Sequence, residues 1–200
     1  MKIRRVGFLG AALATVLGVG GCLSRAKTSP QTDAAGAALQ RLALAEATVA
    51  QWSDNSAQTA RLFMEKYGDP DEVHYGRLVW NNNGPWRRTV VRDVRPSYVE
   101  GDDLGVIEQT IDASLTPEQA AAVSTFDNRV QFNARSGELS ARSDREALNM
   151  LRLNLAGEVA EQRMSAEQAR ISYAKILEFE ESGKTSPYLL TLRFGLGSKP

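Results

Sequence analysis

The hydrophobic period of this 200-residue chain switches back and forth between 3.6 and 2, and that switching limits the folds open to it more than any other feature. A 3.6-residue period places apolar side chains on one stripe of a helix, and a period of two places them on one face of a strand. Leu39, Leu42, Val49 and Trp52 recur at helical spacings, and Ser53-Asp54-Asn55-Ser56 interrupts them as a capping cluster. Ala60, Phe63, Met64 and Tyr67 repeat the helical stripe until Gly68 stops it before Asp69-Pro70. Over residues 73–94 the period becomes two. Leu78 and Trp80 share one face, and Val73, Tyr75 and Val79 the other. Trp86, Val90 and Val94 line one side of a returning strand, with a turn at Asn81-Asn82-Asn83-Gly84-Pro85 between. Asn-Gly favours a tight hairpin, but Pro85 lacks the N–H to close a two-residue loop around Asn83-Gly84, so a wider loop is expected.

The same alternation continues downstream. Residues 106–113 predict a third strand. Thr116-Pro117-Glu118-Gln119 carries the cap, first-turn proline and reciprocal Gln of a capping box, opening a helix that ends near Phe126. Val130, Phe132 and Ala134, then Leu139 and Ala141, predict a hairpin about Ser136-Gly137. Asp144 is expected to cap a helix carrying Leu148, Leu151 and Leu155. Ser165 caps another through Gln168, with Tyr173 and Ile176 on its apolar side and Met164 as a staple. Leu190, Leu192 and Phe194 suggest a terminal strand. Hairpins interleaved with helix pairs, without regular strand–helix alternation, predict an α+β fold: an antiparallel sheet of hairpins packed with several helices.

The start of the chain carries different information. Met1-Lys2-Ile3-Arg4-Arg5 is basic, and residues 6–19 are apolar. That run is shorter than the about 20 residues a membrane-spanning helix needs, so it reads as a signal peptide. Val19-Gly20-Gly21-Cys22 at its end resembles the lipobox of bacterial lipoprotein precursors: an aliphatic residue, two small residues and the Cys that receives diacylglycerol. The resemblance implies cleavage before Cys22, acylation there, and a multi-chain anchor to a membrane. Leu23, in place of the Asp that retains such proteins at the inner membrane in enteric-type bacteria, implies the periplasmic side of the outer membrane. Residues 24–37 mix Ser, Thr, Pro, Gly and Ala without an apolar period and read as a flexible tether. The organisation expected is a signal peptide over 1–21, lipidated Cys22 and tether over 22–37, and a single α+β domain over 38–200.

Composition removes several function classes. Without Lys2, Arg4 and Arg5 of the leader, the 24 basic residues become 21 against 24 acidic ones, a net charge of −3. Such a chain lacks the positive field that draws in nucleic acid, so no nucleic-acid partner is expected. One Cys and one His exclude thiol-and-imidazole zinc sites and intrachain disulfides. No Gly-x-Ser-x-Gly elbow and no phosphate-cradling Gly-rich loop occurs. No catalytic residue, metal ligand or cofactor is nominated.

Two constellations remain as candidate binding residues. His74 follows Asp69-Pro70-Asp71-Glu72, a cluster able to offer carboxylates and an imidazole but equally the chemistry of a turn that ends a helix. Trp80, Trp86, Arg88 and Arg92 interleave aromatics with guanidinium groups, a pattern that grips phosphates, glycans or anionic headgroups. Arg88 and Arg92 are expected on the face of Trp86 and Val90, with Arg87 opposite. The alternative for these arginines is a sheet edge paired with Asp93, Glu100, Asp102 or Asp103. Tyr67-Gly68-Asp69-Pro70 before a Trp-bearing hairpin resembles the small outer-membrane-assembly lipoproteins over residues 57–95, which implies helices layered on a sheet. The expected function is that of a membrane-anchored envelope lipoprotein, non-enzymatic, acting through an envelope protein partner or in envelope maintenance. The alternatives are a carboxylate-based enzyme acting on glycan or lipid and a periplasmic ligand binder.

Overall fold

The computed structural model describes residues 30–95 and 105–193. The leader, Cys22, the acidic residues Glu100, Asp102 and Asp103, and Phe194 lie outside the described residues. The described residues form an α+β fold, a six-stranded antiparallel sheet with six helices. Helices α1 (Pro30–Val49) and α2 (Asp54–Tyr67) come first. Strands β1 (Glu72–His74), β2 (Arg77–Asn83), β3 (Trp86–Arg92) and β4 (Ile107–Asp112) follow, then α3 (Pro117–Phe126). Strands β5 (Val130–Asn133) and β6 (Glu138–Ser143) precede α4 (Glu146–Ala160), α5 (Ala166–Glu181) and α6 (Pro187–Leu190). The spatial order is β1-β2-β3-β4-β6-β5, with every neighbouring pair antiparallel.

The apolar residues of one sheet face divide between two cores. Leu78, Trp80, Val91 and Ile107 pack with Val49, Ala60 and Phe63 of α1 and α2. Ile111, Leu139, Ala141 and Val130 pack with Leu148, Leu151, Leu155 and the outer helices. Helix α4 is buried on almost every side, with Leu151, Leu153, Leu155 and Ala156 all fully inside. Its all-round apolar sequence suits a helix lying between the sheet and α3, α5 and α6. Both capping boxes expected from sequence are present: Thr116 with Gln119, and Ser165 with Gln168, each exchange two hydrogen bonds.

Several expectations are corrected. Helix α1 covers Pro30–Val49, so part of it lies in the stretch read as tether; Ala34, Ala35, Ala37 and Ala38 are strong helix formers. Leu39, expected on the buried stripe, is 69% exposed. The β2–β3 loop is tight, not wide: Asn83 pairs with Trp86 across Gly84-Pro85. The turn centres one residue later than expected, so Gly84 supplies the positive φ of 69° and Pro85 is never asked for an N–H. Arg145, not Asp144, occupies the N-cap position of α4.

Among the described residues the expected terminal strand does not form: residues 187–190 are α6, and 191–193 follow without strand pairing. The buried Asn154 of α4 holds this segment. Its Nδ2 donates to the carbonyls of Tyr188 (2.9 Å) and Thr191 (2.8 Å), and its Oδ1 accepts from the Arg193 N–H (2.7 Å). Those backbone groups thus find partners on a helix instead of on a sheet edge.

Candidate functional site

Of the candidate binding residues, Trp80 and Trp86 are core, 2% and 1% exposed. Trp80 packs tilted against Phe63, with ring centroids 6.0 Å apart, and its Nε1 donates to the Gly68 carbonyl. Trp86 belongs to the other core. His74 stands on the edge strand β1, where Nε2 lies 2.9 Å from Glu72 Oε2. The hydrogen bond with His74 holds the Glu72 carboxyl below its usual range. Asp71 accepts the Asn81 N–H at 2.7 Å, which braces the turn into β1. The fold therefore does not bring His74, the tryptophans and the arginines into one site.

Arg88 and Arg92 do share a face, but it is not the face of Trp86. The Trp86 ring points toward the helices and reaches Glu146 of α4, whereas Arg87 and Arg88 both bond Glu138. Strict alternation does not hold from Arg88 back to Trp86, at the end of the hairpin where Asn82 takes a left-handed φ of 52° and the Asn82–Arg87 pair is missing from the register. Of the partners expected for the arginines, Glu100, Asp102 and Asp103 lie outside the described residues; among the described ones the pairs are different. Arg88 pairs with Glu138, and Arg92 with Glu108 at 3.2 Å. Asp93 instead accepts from the backbone and hydroxyl of Ser53.

Sequence reasoning missed Glu146, the best-connected carboxylate beneath the sheet. Its Oε1 accepts from Tyr67 Oη (2.5 Å), Trp86 Nε1 (2.5 Å) and Gln109 Nε2 (3.1 Å), and its Oε2 accepts from Lys66 Nζ (2.5 Å). Burial pushes the carboxyl up, but the bonds from Lys66, Tyr67 and Trp86 outweigh it and leave the group below its usual range. Glu146 also opens α4, where a negative charge meets the positive end of the helix dipole. From Gln109 the network continues inward. Asn149 Nδ2 donates to Gln109 Oε1 at 3.1 Å, and Ser143 Oγ contacts Asn149 Oδ1 at 2.8 Å. Gln109, Asn149 and Ser143 are fully buried, so their polar atoms need these partners. A carboxylate held ionised by four donors is fitted to fastening elements together and not to giving up a proton.

The opposite sheet face carries the charged side chains. In an antiparallel sheet directly opposed residues share a face. The register Arg88↔Thr110, Thr110↔Ser140 and Gln131↔Ser140 therefore sets one transverse row across four strands. The rows on either side hold Glu108 with Arg142, and Asp112 with Glu138. Glu108 binds Arg142 at 2.8 Å and Arg92 at 3.2 Å, and Glu138 binds Arg87 at 2.9 Å. Burial pushes both carboxyls up, yet the arginines hold each below its usual range.

Among the described residues, no three His, Cys, Asp or Glu side chains converge as a metal site, and no helix is long and apolar enough to cross a membrane. No family model, curated protein or solved structure matches the chain.

Proposed function

We propose that the chain is an envelope lipoprotein, held at a membrane through Cys22, that acts by binding and not by catalysis. The anchor follows from the leader and the Val19-Gly20-Gly21-Cys22 lipobox, with the folded domain facing the periplasm from the outer membrane. One arrangement supports the non-catalytic part: the three carboxylates set into the sheet are each bound by basic side chains, Glu146 by Lys66, Glu108 by Arg92 and Arg142, and Glu138 by Arg87 and Arg88, which hold their pKa low. A carboxylate general acid needs the reverse, a pKa raised toward the working pH.

The experiment is metabolic labelling with a fatty acid, combined with cross-linking in intact membranes. Wild-type protein takes up label and Cys22→Ser takes up none, because the serine hydroxyl lacks the thiolate's nucleophilicity. Unlabelled wild-type protein would defeat the anchor. Turnover of any envelope glycan or lipid by the purified protein would defeat the binding-only reading.

A further inference from the structure

Two like charges face one another on the charged side of the sheet: Arg77 of β2 is paired in register with Arg92 of β3. The Arg92 N–H goes to the Val106 carbonyl on the other side of β3, whereas the Asp93 N–H goes to the Gly76 carbonyl. Arg77 and Arg92 therefore form a non-hydrogen-bonded pair, the closer of the two antiparallel kinds, with Cα atoms about 4.5 Å apart. Like charges directly opposite in a sheet are destabilising. A third guanidinium adds to them, because Arg142 shares the Oε2 atom of Glu108 with Arg92, at 2.8 and 3.2 Å.

Among the described residues no acid offsets this excess in full. Glu108 is divided between Arg92 and Arg142. Glu72 senses the charge of Arg77 but is turned to His74, 2.9 Å away. Arg77 itself is exposed, and its guanidinium makes no ion pair or hydrogen bond among the described residues. Burial lowers the pKa of Arg92, and Arg142 and Arg77 lower it further, against the pull of Glu108. The ground between these arginines is thus a place where a negative charge is stabilised.

The geometry selects among anions. Arg92 Nη1 is turned in against Glu108 and buried, which leaves Nε and Nη2 for a ligand, on a side chain 29% exposed. Arg77 offers its whole fork. Planar guanidinium forks bind oxyanions through two parallel hydrogen bonds. A carboxylate has a single edge of two oxygens and fills one fork. A phosphate monoester has three terminal oxygens and close to two negative charges, so it can serve both forks and offset the excess. No existing pair has to break, because Glu108 keeps Arg142 and the Nη1 of Arg92.

We propose that Arg77 and Arg92 bind a phosphate monoester group at the open sheet face, with Glu108 holding Arg92 in place. The group comes from a lipid headgroup or from a soluble phosphate ester. The proposal rests on the binding reading above but not on the lipid anchor.

The test is calorimetric titration of the full chain in a neutral detergent at low salt, where exposed charges are least screened. The soluble probes are inorganic phosphate and glycerol 3-phosphate, with acetate and malonate as carboxylate counterparts. Phosphatidic acid mixed into the micelles presents the same group as a headgroup, with oleate as its carboxylate counterpart. A phosphate probe is expected to bind, and more tightly than the carboxylates. Preference for the micellar phosphate over glycerol 3-phosphate would name the headgroup as the source, and the reverse the soluble ester. Arg77→Gln should weaken phosphate binding about ten- to hundred-fold, the loss of a charged hydrogen-bonding partner, while the melting temperature holds or rises as one of two opposed charges goes. Arg77→Lys keeps the charge but not the fork and should fall between. Arg87→Gln, on a residue already paired with Asp112 and Glu138, should bind as the parent does. Absence of binding by any phosphate probe up to about 10 mM, a carboxylate bound as tightly as its phosphate counterpart, or unchanged affinity in a folded Arg77→Gln protein would overturn the proposal. Release of inorganic phosphate from glycerol 3-phosphate would sink the binding-only reading and leave the site standing.

Discussion

Trp86 Nε1 donates to Glu146 Oε1 at 2.5 Å, joining the tip of the β2–β3 hairpin to the first turn of the central helix. Tyr67 reaches the same oxygen from the end of α2. With Gln109 of β4, four elements distant in sequence thus meet at one carboxylate oxygen, on a side chain 13% exposed. Where several buried donors depend on one acceptor, altering the acceptor affects all of them.

Glu146→Gln should therefore destabilise the protein by about 1–3 kcal/mol, because the amide has one acceptor oxygen and offers a donor where Lys66, Tyr67 or Trp86 needs an acceptor. Urea unfolding followed by tryptophan fluorescence measures it. Equal midpoints for variant and parent would show that the shared carboxylate contributes nothing net.

The same group makes stability depend on pH. The folded-state pKa of Glu146 is lowered, so its contribution is complete above the unfolded value of about 4.3. It is lost as pH falls through the folded pKa. The gap in melting temperature between wild type and Glu146→Gln should be constant near neutrality and close on acidification below about pH 4. A gap that widens in acid would reverse the sign and refute the assignment.

Trp80→Ala and Trp86→Ala should each cost about 3–5 kcal/mol, a large share of the stability of a single domain. Either variant melting like its parent would contradict the burial of both rings.

Asn154→Ala should loosen the end of the chain without unfolding the body. Residues 188–193 are fastened through three hydrogen bonds to that side chain, so limited proteolysis should cut there faster in the variant. An unchanged cleavage pattern would mean that packing of Leu189 and the Tyr188–Glu158 hydrogen bond hold the segment without Asn154.

His74→Ala should complement a deletion strain normally, since the imidazole sits exposed on an edge strand beside Glu72 and surface substitutions away from special features are close to neutral. A folded, membrane-located variant that fails to complement would point to chemistry at Glu72 and Asp71.

What the sequence made legible was local. The capping boxes at Thr116 and Ser165, the period-two strands and the helical stripe of Ala60, Phe63 and Met64 each depend on residues within a few positions of one another. Glu146 was illegible because Trp86, Tyr67 and Lys66 approach it from 60, 79 and 80 positions away, and nothing in the spacing couples them. Trp86 was assigned to the wrong face because the strict alternation that the reading relied on does not hold at the end of the hairpin. The terminal strand failed for a similar reason: Leu190 and Leu192 have strand-like spacing, but Asn154 offers their backbone a different set of partners. The arginine pair was half visible, since Arg92 was singled out, while Arg77 acquires meaning only through the register that sets the two opposite.

Strand β4 has Ile107 in the core under α1 and α2 and Ile111 in the core around α4. If the chain were parted between β3 and β4, neither piece would be whole. The first would lack Ile107, and the second would lose Trp86, which belongs with Ile111. One strand serves as a common wall, so the two compartments stand or fall as one cooperative unit, and a fragment made by cutting there would expose apolar surface that only the other fragment can cover.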